Sequence, residues 1–199
     1  MAPPIYLSLV FHNHQPVGQF DYVNEHAANV AYLPLIELLE RFPAVHAGIH
    51  FSGQLLNWLC QHHAAAIDRL GTLIERGQVE AIGGGYYEPI LVGLPDEDKI
   101  GQIQKLTEHI RSLFGVEPTG AWLAQYVWEP HLPQVLSQAN VRYIILDDQQ
   151  FESAGLDRET DLFGYFMTEE QGRALALFPS RTQVQKLMPW GQVDKLLAV

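Results

Sequence analysis

The stretch "VHAGIHFSGQLLNWLCQHH", Val45 to His63, changes its periodicity once, and that change sets the fold class. Val45, Ala47, Ile49 and Phe51 alternate with His46, Gly48 and His50, a period of two that predicts a strand. Ser52, Gly53 and Gln54 break the alternation, and a helix is expected from Gln54 to His62. Cys60, the single cysteine, lies in the apolar pattern of that helix, where a small buried hydrophobe is expected and no internal disulfide can form.

The same unit recurs on both sides. Strands are predicted at "IYLSLVF" (Ile5 to Phe11), "VEAIGG" near Val79, "GAWLA" near Trp122, "RYIILD" near Ile144 and "ALALFP" near Leu175. Helices are predicted over Tyr32 to Arg41, Ala64 to Arg76, Asp96 to Phe114 and Leu132 to Ala139. The helix from Asp96 is the clearest: Ile100, Ile103, Leu106, Ile110 and Leu113 share one face, and three acids favour its positive N-terminal end. Strands alternating with helices predict an α/β fold with a parallel sheet under helical cover, either open or rolled into a barrel. No linker or repeat divides residues 1–199, so a single domain is expected.

Each strand runs into a polar or aromatic segment: "HNHQP", "SGQ", "GGYYEP", "QYVWEP", "DDQQ" and "SRTQ" in turn. The carboxyl ends of parallel strands are where such folds carry their ligand sites. The aromatic faces of Trp122, Tyr126 and Trp128 suit the C–H faces of sugars, the carboxylate of Glu129 can accept hydroxyl protons, and Glu88 before Pro89 is either a ligand contact or a solvated turn acid. His12 and His14, two residues apart, point the same way if strand geometry persists. They suit either hydrogen bonds to a polyhydroxylated ligand or a metal, but a third ligand from His50, Asp147 or Asp148 can come only through the fold. No metal and no cofactor are expected.

Twelve Lys plus Arg against 23 Asp plus Glu give a net charge of −11, which opposes binding to nucleic acid and to acidic membranes. No apolar run is long enough to span a bilayer, and the first residues lack a basic signal-peptide region, so a cytoplasmic protein is expected.

Four motifs in order resemble glycoside hydrolase family 57, which includes α-amylases and 4-α-glucanotransferases. They are His14-Gln15-Pro16 after the first strand, Gly53 to Trp58 after the second, Tyr87-Glu88-Pro89 after the third and Trp122 to Trp128 after the fourth. The resemblance runs from the first strand to about Trp190. It implies an incomplete (β/α)7-type barrel acting on α-1,4-glucans by a retaining mechanism, with His12, His14, Gln15, Asn57, Trp58, Glu88, Trp122, Trp128, Glu129 and Asp147 as candidate binding residues. It also implies a nucleophile glutamate where Gln125 stands, commonly an arginine where Tyr126 stands and a glutamate where Asn57 stands. The family's acid/base aspartate belongs to a motif expected beyond Val199, so the chain is expected to lack the C-terminal part of the barrel.

These features together predict an amylase-like domain binding an α-glucan or maltooligosaccharide with little or no activity, self-associating over an open barrel edge. Two alternatives stand beside it. One is an active or deliberately inactivated α-amylase or 4-α-glucanotransferase. The other is a metal-dependent carbohydrate deacetylase using His12, His14 and Asp147 or Asp148.

Overall fold

In the computed structural model, which describes residues 6–157, 162–188 and 191–196, seven strands form one sheet in the order β1-β2-β3-β4-β5-β7-β6. The strands are β1 (Leu9–Asn13), β2 (Ala47–Phe51), β3 (Val79–Gly84), β4 (Gly120–Trp122), β5 (Tyr143–Asp147), β6 (Phe166–Glu170) and β7 (Arg173–Ser180). All neighbouring pairs are parallel except β6 with β7. That hairpin turns through Gln171 and Gly172, both at positive φ, the backbone twist that suits a two-residue connection. Among the described residues the sheet is not closed, and β1 and β6 are its edges.

The expected α/β architecture is therefore present, with differences of detail that have physical causes. The first strand starts at Leu9 because pairing begins opposite Ala47; Ile5, the expected start, lies outside the described residues. β6 is absent from the sequence expectation, because "FMTEE" is short and acid-rich and pairs only by folding back on β7. The helix expected from Tyr32 is preceded by α1 (Asp21–Ala27) and a π-helical turn (Ala28–Tyr32) that continue into α2 (Leu33–Arg41). The remaining elements are α3 (Gly53–His62), α4 (Ala64–Glu75), α5 (Asp96–Phe114), α6 (Leu132–Gln138), α7 (Asp148–Ser153), α8 (Thr182–Leu187) and α9 (Val193–Leu196). α5 spans the residues expected and stops at Gly115, whose φ of 70° suits the left-handed cap that glycine adopts without strain.

Register divides the sheet into two faces, since side chains alternate along every strand. Ile49, Phe51, Val79 and Ala81 lie on the face that packs against α2 to α5. Ala121, Leu123, Ile144, Leu146, Leu175 and Leu177 continue that face into a second core. On the opposite face the same register aligns His12, His50, Gly84, Trp122, Asp147 and Ser180 at the carboxyl ends of successive strands. Two glycines make that face possible. A Cβ on Gly84 would lie 2.9 Å from the Trp122 carbonyl oxygen and 3.0 Å from His50 Nε2, and one on Gly120 would enter the Tyr143 ring.

Candidate functional site

The site begins where β1, β2 and β3 end side by side. His12 and His50 are register partners, so their rings project together, and His12 Nδ1 lies 3.0 Å from His50 Nδ1. Asn13 ties the two strand ends, its side-chain amide donating to the His50 carbonyl at 3.1 Å. Over this pair comes Glu88, from the turn after β3. Its Oε2 is 2.9 Å from His14 Nδ1, and its Oε1 is 3.4 Å from His12 Nδ1 and 3.5 Å from His50 Nδ1. His14 Nδ1 and Glu88 Oε1 are buried without an aligned hydrogen bond, so these are close contacts with unspent bonding capacity.

The Glu88 turn is held in place by its neighbours. Gly53 at the start of α3 donates its N–H to the Tyr86 carbonyl at 2.8 Å, and Gln102 on α5 accepts the N–H groups of Tyr86 and Tyr87 with its backbone and side-chain oxygens. Glu88 itself sits at φ 52°, a left-handed conformation that is uncommon for a non-glycine residue and is kept where surroundings over-determine it.

Burial sets the charges. It holds His12 down at about 4, with the neighbouring His14 adding to the effect. Burial also lowers His14, and it holds His50 well below the usual histidine value, assisted by His12 and His14. The same desolvation pushes Glu88 up to about 7. Near neutral pH the rings are therefore neutral and the carboxyl group is poised between its two forms.

β4 supplies the other side. Trp122 lies parallel to the His12 ring, 4.4 Å between centroids and 9° between planes, and Tyr126 leans on it at 4.9 Å. Gln125 and Tyr126 are consecutive left-handed residues, at φ 55° and 54°, in the turn after β4. Gln125 is exposed there. The Tyr126 hydroxyl accepts a hydrogen bond from Gln185 Nε2 at 3.0 Å, and burial raises its pKa, so the phenol stays protonated.

Of the residues singled out in the sequence, His12, His14, Glu88 and Trp122 come together, with Gln125 at their rim. Others are engaged elsewhere. The Gln15 amide bonds Tyr32 and Gln19. Trp58 donates to Asp21 and stacks on His62. Glu129 pairs with His131, whose other ring nitrogen is 3.2 Å from the buried Lys99 on α5. Trp128 packs against the second core, and Asn57 is exposed on α3. Asp147 caps α7, accepting from the Gln149 N–H at 2.9 Å, while Asp148 is buried and accepts from Thr182. Sequence reasoning gave His50 only a conditional place. Its signal was its phase: it shares the strand face of Gly48, opposite the apolar set.

A largely parallel sheet with histidines, a carboxyl group and a tryptophan gathered at the carboxyl ends of its strands places the chain among α/β folds that carry their ligand sites there. The family model for glycosyl hydrolase family 57 matches residues 8–194, and the chain belongs to that family. It is 46% identical over 197 residues to α-amylase 1 of Dictyoglomus thermophilum, covering 99% of this chain and 29% of that protein. The crystal structure of the 4-α-glucanotransferase from Thermococcus litoralis superposes with a TM-score of 0.91 at 40% identity, over 96% of this chain and 30% of that one. The chain thus spans under a third of each. A putative polysaccharide deacetylase from Mycobacterium smegmatis shares the fold alone, at 16% identity and a TM-score of 0.63 over 92% of this chain and 64% of that one. Among the described residues no helix is long and apolar enough to cross a membrane.

Proposed function

We propose that this chain binds an α-1,4-glucan at the strand-end site and that its covalent chemistry is disabled at Gln125. The observation that carries the reading is Gln125 itself, an amide on the strained turn beside Trp122, where the family resemblance implies the nucleophile carboxylate. Retaining hydrolysis needs a carboxylate to form the glycosyl-enzyme and a second carboxyl group to pass the proton. An amide brings no negative charge to an oxocarbenium-like transition state and is not a base near neutral pH. It still hydrogen-bonds hydroxyls.

Binding is supported by the polar atoms left with capacity, His14 Nδ1 and Glu88 Oε1, which are buried and can meet sugar hydroxyls. Glu88 near neutrality both donates and accepts, which suits a neutral ligand, as does the net charge of −11. The free cysteine, Cys60, agrees with a reducing, cytoplasmic setting, and the unpaired edges β1 and β6 offer a second copy a place to join. Calorimetry with maltooligosaccharides and nitrophenol release from an activated maltooside test the reading together. Binding heat without turnover is expected. Turnover of unactivated maltooligosaccharides, or the absence of any binding, would overturn it.

A further inference from the structure

Three side chains from three successive strand ends converge on one point of the face opposite the first core. His12 Nδ1 and His50 Nδ1 are 3.0 Å apart, and Glu88 Oε1 is 3.4 Å from the first and 3.5 Å from the second. We propose that this triangle binds a divalent first-row transition ion, zinc foremost, with His12, His50 and Glu88 as its ligands.

Hydrogen bonding alone leaves the triangle incomplete. Two neutral imidazoles can share one proton between their Nδ1 atoms, but Glu88 Oε1 then has no partner, although its side chain is only 7% exposed. An orphaned buried acceptor costs on the order of 1–3 kcal/mol, more when it is charged. An ion satisfies all three atoms at once. Zinc takes nitrogen and oxygen ligands at about 2.0–2.2 Å in a tetrahedron, which sets neighbouring donors about 3.3–3.6 Å apart. Two edges of the triangle, 3.4 and 3.5 Å, fall in that range, and the third, 3.0 Å, falls just short of it. The circle through the three corners has a radius of about 1.9 Å, so an ion at bonding distance sits slightly out of their plane. Two imidazoles and a carboxylate are a borderline donor set, suited to zinc and its neighbours rather than to magnesium or calcium.

The surroundings restrict how the ligands can move, by packing and close approach, although His50 Nε2 is buried without a partner. His14 Nδ1 lies 2.9 Å from Glu88 Oε2, so the carboxylate's second oxygen is on the His14 side and Oε1 on the side of His12 and His50. Trp122, parallel to His12, fixes that ring, and Gly84 leaves the space that the fully buried His50 ring fills. His12 is the accessible corner, with 28% of its side chain exposed, which leaves a fourth position open to water or to a ligand hydroxyl. The sequence expectation of no metal rests on the pair His12 and His14 lacking a third ligand. The fold instead pairs His12 with His50 and brings Glu88, while Asp147 and Asp148 serve α7 and Thr182. The site shares Glu88 Oε1 with the glucan reading but is argued from the geometry of the three ligand atoms alone, and it assigns no reaction.

The test uses the 199-residue chain stripped with a chelator, titrated with zinc against a chromophoric competitor and, separately, with cobalt(II). One ion per chain is expected, with visible cobalt bands of tetrahedral intensity. Glu88→Gln and His12→Gln should each weaken zinc by at least about 100-fold, while His63→Gln, at the surface pair with Glu25, should bind as the parent does. Less than about 0.1 ion per chain at about 100 µM zinc, or one ion that both site variants retain, would overturn the proposal. Loss of the ion in His63→Gln would overturn it equally. Where a site variant loses its folded circular dichroism, imidazole NMR of the parent chain decides. The Nδ1 resonances of His12 and His50 should move on zinc saturation, and resonances that stay put refute the site.

Discussion

The two halves of the sheet meet at the site with opposite chemistry. The half built on β1 to β3 delivers a closely set cluster, His12, His14, His50 and Glu88, whose charges are displaced by burial. The half built on β4 to β7 delivers an amide and a protonated phenol, Gln125 and Tyr126, on a strained turn. Their backing differs too. The first core is wrapped by four helices, whereas the second ends in an antiparallel hairpin with Phe163, Tyr165 and Met167 largely exposed. On the proposed function, most of the recognition groups lie in the first half and the altered nucleophile position in the second, so one can fade while the other keeps its geometry.

The largest expected effect tests whether the second half keeps its shape without its charge. Gln125→Glu should raise glycosyl-enzyme formation from an activated maltooside by about 1,000-fold or more, read by intact-protein mass spectrometry, because it restores a carboxylate on an unchanged turn. No adduct would mean that this half has lost geometry as well as charge. Next comes a matched pair of glycine substitutions in urea unfolding. Gly84→Ala meets backbone and a fully buried ring and should cost about 3 kcal/mol or more. Gly120→Ala meets Tyr143, a partly exposed ring that can swing away from Glu80, and should cost about 1 kcal/mol. Equal losses would erase the contrast in rigidity between the halves.

Binding gives the smaller effects. His14→Ala should weaken maltooligosaccharide binding by about 1–2 kcal/mol in calorimetry, since it removes one partner of Glu88 and one ligand donor. Glu129→Gln and Trp58→Phe should change it by less than about 0.5 kcal/mol, because both side chains are spent on His131 and on Asp21 and His62. A larger loss in either would place the ligand over a wider rim than the His–Glu cluster.

The sequence carried the architecture because its signals are local. The alternation from Val45 to Phe51 and the helical face from Ile100 to Leu113 fall largely within β2 and α5, where Ala47, Ile49, Phe51, Ile103, Leu106 and Ile110 are buried. β6 was illegible because its partner β7 supplies its stability, and α1 and the π-helical turn after it because Asn24 and Asn29 weaken the helical pattern. The site was legible as far as motifs reach. His14, Glu88 and Trp122 come after their strands in plain order, but the pairing of His12 with His50 is a matter of register between β1 and β2. Nor does composition reveal that Glu88, Gln125 and Tyr126 adopt left-handed backbones, since no glycine marks them. Residue type and proximity to a motif do not say which neighbours a side chain meets, so the contacts of Trp58 with Asp21 and His62 and of Glu129 with His131 were not legible.

The sheet order matches the chain order from β1 to β5, and this has a consequence for synthesis on the ribosome. Each new strand adds to the edge left by the one before, so pairing spans only the thirty or so residues of one strand–helix unit rather than the whole chain, and loop closure stays cheap in entropy. Every buried member of the first core lies between Ala28 and Ile110. A nascent chain can therefore complete that core, and with it the His12, His50 and Glu88 cluster, while the segment bearing Gln125 is still within the exit tunnel. The half built on β1 to β3 then acts as a template on which the later strands dock.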